Sequence, residues 1–155
     1  MKKLLIILPF LLISCTMHSP PTQFRIDVNN YNRILFIQSI IHIESKSNPL
    51  AIGSKNDVGI LQITPICIKE ANRILGRAHF TLEDRFSHKK SVEIFNIIQS
   101  HHNPTFNYRT ACNIWNPGAG KSYTEKILKE YEKRRSMALS LRSSRHATHL
   151  QKIVQ

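Results

Sequence analysis

Acidic residues are scarce in this chain. Ten Asp and Glu stand against 22 Lys and Arg in 155 residues, a formal charge of +12, so a partner reached by long-range attraction should be anionic: nucleic acid, acidic lipid or cell-wall polymer. Membrane-length hydrophobic runs are missing too. The N-terminal run Leu4 to Ile13 has ten residues, about half of the roughly twenty that a spanning helix needs. There is no internal repeat and no low-complexity tract, and neither zinc-finger spacing nor the aromatic-basic interleaving of single-strand binders occurs. The eight histidines are scattered, and His101-His102 lies at a helix end with no partners at ligand spacing. No metal or cofactor is expected.

At 155 residues the chain has room for one domain with a real core and too little for two. Its opening, "MKKLLIILPFLLISC", has the layout of an export signal: two lysines, an apolar run, then a small residue and a cysteine. The segment Leu12-Ile13-Ser14-Cys15 resembles a bacterial lipobox, which implies cleavage before Cys15 and acylation of its thiol. Residues 1–15 are then the signal peptide and 16–30 a tether in the extended regime, with Pro20 and Pro21. The alternative is an ordinary secretory signal whose cysteine is incidental. Two further cysteines, Cys67 and Cys112, sit in apolar helical contexts and read as buried thiols, with pairing in an oxidising compartment left open.

From Asn30 to Ser45 the pattern is helical and apolar nearly all round, the mark of a central helix. Asn48-Pro49 ends it, because a residue before proline is pushed out of the helical region. The stretch from Ala51 to Thr64 has a turn-forming centre and reads as an irregular loop or small hairpin over the end of that helix. Thr64-Pro65 is a cap followed by proline at the first helical position, predicting a second helix to Leu75 with Gly76 as its stop. A third helix follows Ser87, with Val92, Phe95 and Ile98 inward, and a fourth runs from about Asn107 to Trp115. Ser122 opens a last helical pattern through Ile127, Leu128 and Tyr131. The domain is expected to cover 31–133, and 134–155 to form a basic, loosely held tail.

One acid stands out against this background. Glu44 follows Ile37, Ile40 and Ile41 by seven, four and three residues, so on a helix it projects from an isoleucine-lined face near the C-terminal end. Apolar surroundings and the negative end of the helix dipole both disfavour its ionised form and should raise its pKa. A carboxyl still protonated near neutral pH is what a glycosidic leaving oxygen needs from a general acid.

Glu44-Ser45, Asn48-Pro49, "GILQITP" from Gly59 to Pro65 and "WNPGAG" from Trp115 to Gly120 resemble, in order, the motifs of soluble-type lytic transglycosylases, which share a lysozyme-like fold with goose-type lysozymes. The resemblance covers Ile34 to about Gly120. It implies a mainly α, lysozyme-like domain with a small irregular or hairpin loop after the catalytic helix, acting on peptidoglycan glycan strands. It also implies that Glu44 protonates the oxygen between N-acetylmuramic acid and N-acetylglucosamine. The substrate's 2-acetamido group then replaces a second carboxylate, and the ionised glutamate deprotonates the C6 hydroxyl to close a 1,6-anhydro ring. Gln62 would bind the sugar, and Ser45 would orient the glutamate or the cleft loop. Asn116 would support substrate or carboxyl.

The chain departs from the motifs at Trp115, which stands where the family has a tyrosine thought to hydrogen-bond the catalytic carboxyl. Indole offers only an N–H; stacking on a sugar and a core position are both open to it. Asp57 reads first as a turn residue, and as a positioner of water if the enzyme is a goose-type hydrolase instead. A non-catalytic, basic wall-binding protein is the remaining alternative, and export argues against nucleic acid. The expected setting is the periplasm of a Gram-negative-type bacterium, with the domain held to a membrane through Cys15 and serving wall remodelling or a secretion, conjugation or phage apparatus.

Overall fold

A computed structural model describes residues 27–154, with side chains to residue 144. The expected export signal, Cys15 and the tether up to residue 26 lie outside the described residues. Five α-helices and one 3-10 turn make up the described chain: α1 (Val28–Ser45), α2 (Pro65–Leu75), the 3-10 turn (Glu83–Phe86), α3 (His88–His102), α4 (Tyr108–Trp115) and α5 (Gly120–Val154). The expected mainly helical architecture is what the structure has. In place of strands, two isolated antiparallel bridges, Ile52 with Val58 and Val58 with Ile63, shape the loop between α1 and α2.

The helix boundaries follow local chemistry. Thr64 caps α2 by accepting the Cys67 N–H, Pro65 fills the first position, and Gly76 closes the helix in the left-handed region. Ser87 and Asn107 cap α3 and α4 in the same way, accepting from the Lys90 and Thr110 N–H groups. α1 forms the centre. Phe36 and Ile40 are fully buried, with Leu35, Ile37 and Ile41 around them, and Ser39 satisfies its buried hydroxyl on the Leu35 carbonyl at 2.8 Å. The helix does keep a wet side, where Ile34 and Gln38 are exposed.

Phe36 stacks on Tyr108 at 4.4 Å between ring centroids and meets Tyr131 edge-on at 6.0 Å, so one side chain joins α1 to α4 and α5. Phe95, Ile94 and Ile98 of α3 complete the core with Ala71 of α2 and Ile127 of α5. The segment expected as a loosely held tail is helical: α5 runs unbroken to Val154. No proline, and no glycine after Gly120, interrupts it. None of the described helices is long and apolar enough to cross a membrane.

Candidate active site

Glu44 occupies the penultimate position of α1, and the chain turns sharply after it. Lys46 and Ser47 both take positive φ, at 51° and 67°, and the Lys46 N–H returns to the His42 carbonyl at 3.0 Å. This left-handed exit sends the loop from Ala51 to Thr64 back across the helix end.

Ser45, the motif serine, holds the loop there. Its hydroxyl reaches the Ile60 carbonyl at 2.9 Å and its own helix's Ile41 carbonyl at 3.3 Å. Gln62, the motif glutamine, has φ of 49° and spends its amide N–H groups inside the loop, donating to the carbonyls of Gly59 at 2.9 Å and Ala51 at 3.3 Å. Ile60, Leu61 and Ile63 are buried beneath it.

Trp115 is partly buried. Its indole N–H donates to the Leu61 carbonyl at 3.1 Å, and its ring packs edge-on to Phe95 at 4.8 Å. The structure therefore gives Trp115 a visible task in supporting the loop from α4. Asn116 is the C-terminal cap of that helix, with its N–H on the Cys112 carbonyl at 3.0 Å and its carbonyl accepting from Ala119 at 3.2 Å.

The carboxyl's hydroxyl partner comes from elsewhere in the sequence. Tyr123, in the first turn of α5, donates its phenolic O–H to Oε1 of Glu44. The tyrosine hydroxyl expected at the Trp115 position is thus supplied eight residues later, from another helix. The signal was present in the pattern: Tyr123 precedes Ile127 and Tyr131 by four and eight residues, which places all three on the inward stripe of α5.

A second unforeseen residue is Arg85. This guanidinium is only 6% exposed, and the structure pairs it with carbonyls instead of a carboxylate: Leu82 at 2.7 Å, Asn56 at 2.9 Å and Ile63 at 3.4 Å. Its own carbonyl accepts from Ser91 of α3 at 2.9 Å. Arg85 therefore clamps the far side of the cleft loop to the 3-10 turn and α3. No local pattern marks an arginine for such a position.

The electrostatics follow the burial. Glu44 is held above the usual carboxylate range, first because it is withdrawn from water and further because the charge of Asp57 acts on it, while the Tyr123 hydrogen bond opposes the shift. Asp57 is the turn residue the sequence implied, accepting the Lys55 N–H at 2.8 Å, and it is also close enough to bias the catalytic candidate. Burial and the neighbouring Glu44 charge push the Tyr123 phenol well above its ordinary value, so it stays a hydrogen-bond donor. Cys112 is a buried free thiol pushed up to about 11, chiefly by desolvation. Cys67 is free and half-buried, with its sulfur 3.4 Å from the Thr64 hydroxyl. Among the described residues no three His, Cys, Asp or Glu side chains converge to hold a metal.

The arrangement can deliver one proton from a half-buried carboxyl and then accommodate the anion, with a phenol ready to donate to it and a rigid loop beside it. No curated protein and no solved structure matches the chain. The family model for the transglycosylase SLT domain matches residues 28–139, a span that takes in all of α1 to α4, both ends of the Glu44–Tyr123 hydrogen bond and the packed part of α5. This chain belongs to the transglycosylase SLT domain family, whose members act on peptidoglycan.

Proposed function

We propose that this protein is a lytic transglycosylase that cleaves the β-1,4 bond between N-acetylmuramic acid and N-acetylglucosamine, with Glu44 as acid and then base. The observation that carries the reading is the Glu44 carboxyl, half-buried at the end of α1, held above its usual pKa and bonded to Tyr123.

In the first step Glu44 gives its proton to the bridging oxygen as the C1–O bond breaks. The carbonyl oxygen of the 2-acetamido group bonds to C1, so the positive charge is carried by the acetamido N–C–O group in the oxazolinium ring that this bond closes. Glu44 is now a carboxylate, and the Tyr123 hydroxyl steadies it with a charge-assisted hydrogen bond. In the second step that carboxylate removes the C6 hydroxyl proton, O6 bonds to C1, and the acetamido oxygen departs. Glu44 ends protonated, no water is consumed, and the product carries a 1,6-anhydro ring. In this reading Ser45, Trp115 and Arg85 serve the reaction by holding the loop beside the acid, and Gln62 and Asn116 bind the sugar from the loop and from the end of α4.

The influence of Asp57 on Glu44 supports one competing reading, a hydrolase in which Asp57 directs water at C1. Mass spectrometry of fragments released from purified peptidoglycan separates the two. Anhydro ends that disappear with Glu44→Gln are expected; reducing ends that need Asp57 would establish the hydrolase, and release that survives Glu44→Gln would remove this mechanism.

The setting we propose is the periplasm, with Cys15 acylated and the domain tethered to a membrane, where it cuts glycan locally for wall remodelling or for an envelope-crossing apparatus. Labelling of growing cells with an alkynyl fatty acid should mark the wild-type chain and leave Cys15→Ser unmarked.

A further inference from the structure

The end of the molecule remote from Glu44 has a surface that the reaction does not use. After Ala138, which packs at the edge of the core, α5 continues to Val154. Met137, Leu139 and Leu141 are 55%, 55% and 57% exposed. Val28, at the start of α1, is 60% exposed, and Tyr31 is exposed beside it. Between these parts of α1 and α5 runs a groove of about 1500 Å³ whose walls include Val28, Tyr31, Arg134, Met137 and Leu141.

Cations outnumber acids on this surface, with Lys133, Arg134, Arg135 and Arg142 against Asp27 and Glu130 along the groove. Between Lys133 and Ser144 the helix carries four Lys and Arg residues (133, 134, 135 and 142) and neither Asp nor Glu. Helical spacing interleaves these with the apolar side chains: Arg134 shares a stripe with Met137 and Leu141, and Arg135 shares one with Leu139 and Arg142. Acids one turn back take part of the charge: Glu130 holds Arg134 Nη2 at 2.9 Å and lies 3.9 Å from Lys133 Nζ, and Glu132 lies 3.4 Å from Arg135 Nη1. The buried Nε of Arg134 still has no acceptor. Arg142 projects past the last acidic residue of the helix.

We infer that this face, formed by α5 from Lys133 onward and the first turn of α1, rests on a bilayer surface rich in anionic phospholipid. Three occupants could cover exposed leucines, and the charges decide among them. An acidic polysaccharide or nucleic acid would answer the cations and leave Met137, Leu139 and Leu141 in water. A second copy of the chain would cover the leucines and set this cationic face against its like. An anionic lipid surface takes both, with guanidinium groups at the phosphates and aliphatic side chains at the acyl boundary.

The position of the chain's start agrees. Residue 27 enters α1 at this face, and the twelve residues from Cys15 can reach at most about 43 Å. Glu44 lies sixteen residues along α1 from Val28, or about 24 Å. A domain seated in this way holds its acid away from the lipid, on the side where glycan strands would lie. The inference agrees with the tether proposed for Cys15 and does not need the acyl chain.

The test uses the chain begun at residue 16, since among the described residues every buried core residue lies between Leu35 and Tyr131, with circular dichroism to verify folding. Flotation is measured with vesicles of phosphatidylglycerol and phosphatidylethanolamine, and with phosphatidylcholine alone, at 100 mM salt on the order of physiological screening. The expected result is binding to the anionic vesicles only. Arg135→Gln with Arg142→Gln should weaken it about 25-fold, roughly fivefold per cation, and the triple change Met137→Ser, Leu139→Ser, Leu141→Ser by at least about tenfold. Glu44→Gln should bind as the parent does, which keeps this result separate from the proposed chemistry.

Equal binding to both vesicle types, or an unchanged affinity of the serine variant, would overturn the inference. So would a concentration-dependent dimer in sedimentation that the serine variant abolishes, without vesicle binding by the parent; that outcome would assign the face to a second copy.

Discussion

Gly59→Ala tests whether the cleft loop is held as tightly as the geometry implies. Gly59 has φ of 76°, and a Cβ built on it would lie 2.0 Å from the Arg85 carbonyl oxygen and 3.1 Å from the carbonyl carbon. The oxygen belongs to backbone that Ser91 and the Arg85 side chain already fix, so it cannot swing aside as a side-chain tip would. Two costs combine. Left-handed backbone costs a residue with a Cβ about 1–2 kcal/mol, and forcing an extra carbon into a packed site adds about 1–3 kcal/mol. The sum, about 2–5 kcal/mol, is a large part of the 5–15 kcal/mol that typically holds a domain. Gly76→Ala isolates the first cost, because Gly76 has φ of 65° and open space where its Cβ would go. In urea unfolding, Gly59→Ala should lose at least about 1 kcal/mol more than Gly76→Ala, with unchanged slope, and glycan cleavage should fall only in the Gly59 variant. Equal losses in the two variants would refute the close contact and with it the clamped loop.

Three further outcomes follow from the site. Tyr123→Phe removes the hydrogen bond that opposes the rise in Glu44's pKa, so the alkaline limb of the pH–rate profile should move to higher pH while kcat falls; a profile that stays in place would show that the phenol does not act on the acid. Glu44→Gln should abolish cleavage and stabilise the fold at neutral pH. The sign follows from linkage: a carboxyl whose folded pKa is raised costs stability as pH climbs from the ordinary carboxylate range through its raised value. Thermal melts across that window should therefore fall for the parent and stay flatter for the variant. Trp115→Phe keeps an aromatic ring against Phe95 but leaves the Leu61 carbonyl without its indole donor, a loss of about 1–3 kcal/mol; if the tryptophan instead binds sugar, KM will rise with stability unchanged.

Local information made much of this protein legible in advance. The caps at Thr64, Ser87 and Asn107, the stop at Gly76 and the apolar run of α1 each act within a few residues, so helix positions could be read from neighbours alone. The same holds for Glu44: an acid behind Ile37, Ile40 and Ile41 can be assigned to a buried stripe from spacing. Polarity after Lys133 points to a loose tail, and the structure instead continues α5 to Val154 because nothing in that stretch breaks a helix.

Tertiary structure decided what touches the acid and what holds its loop. Tyr123 lies 79 residues from Glu44 and Arg85 lies 29 from Asn56. Trp115 reaches back 54 residues to the Leu61 carbonyl. Helical periodicity can say that such side chains face inward, but it carries no information about which inward face meets which, because that depends on how α1, α4 and α5 pack around Phe36. The sequence by itself therefore determined the acid, its apolar helix and the family's loop, and only the folded chain determined that the hydroxyl beside the acid is Tyr123 and that the loop is clamped by Arg85.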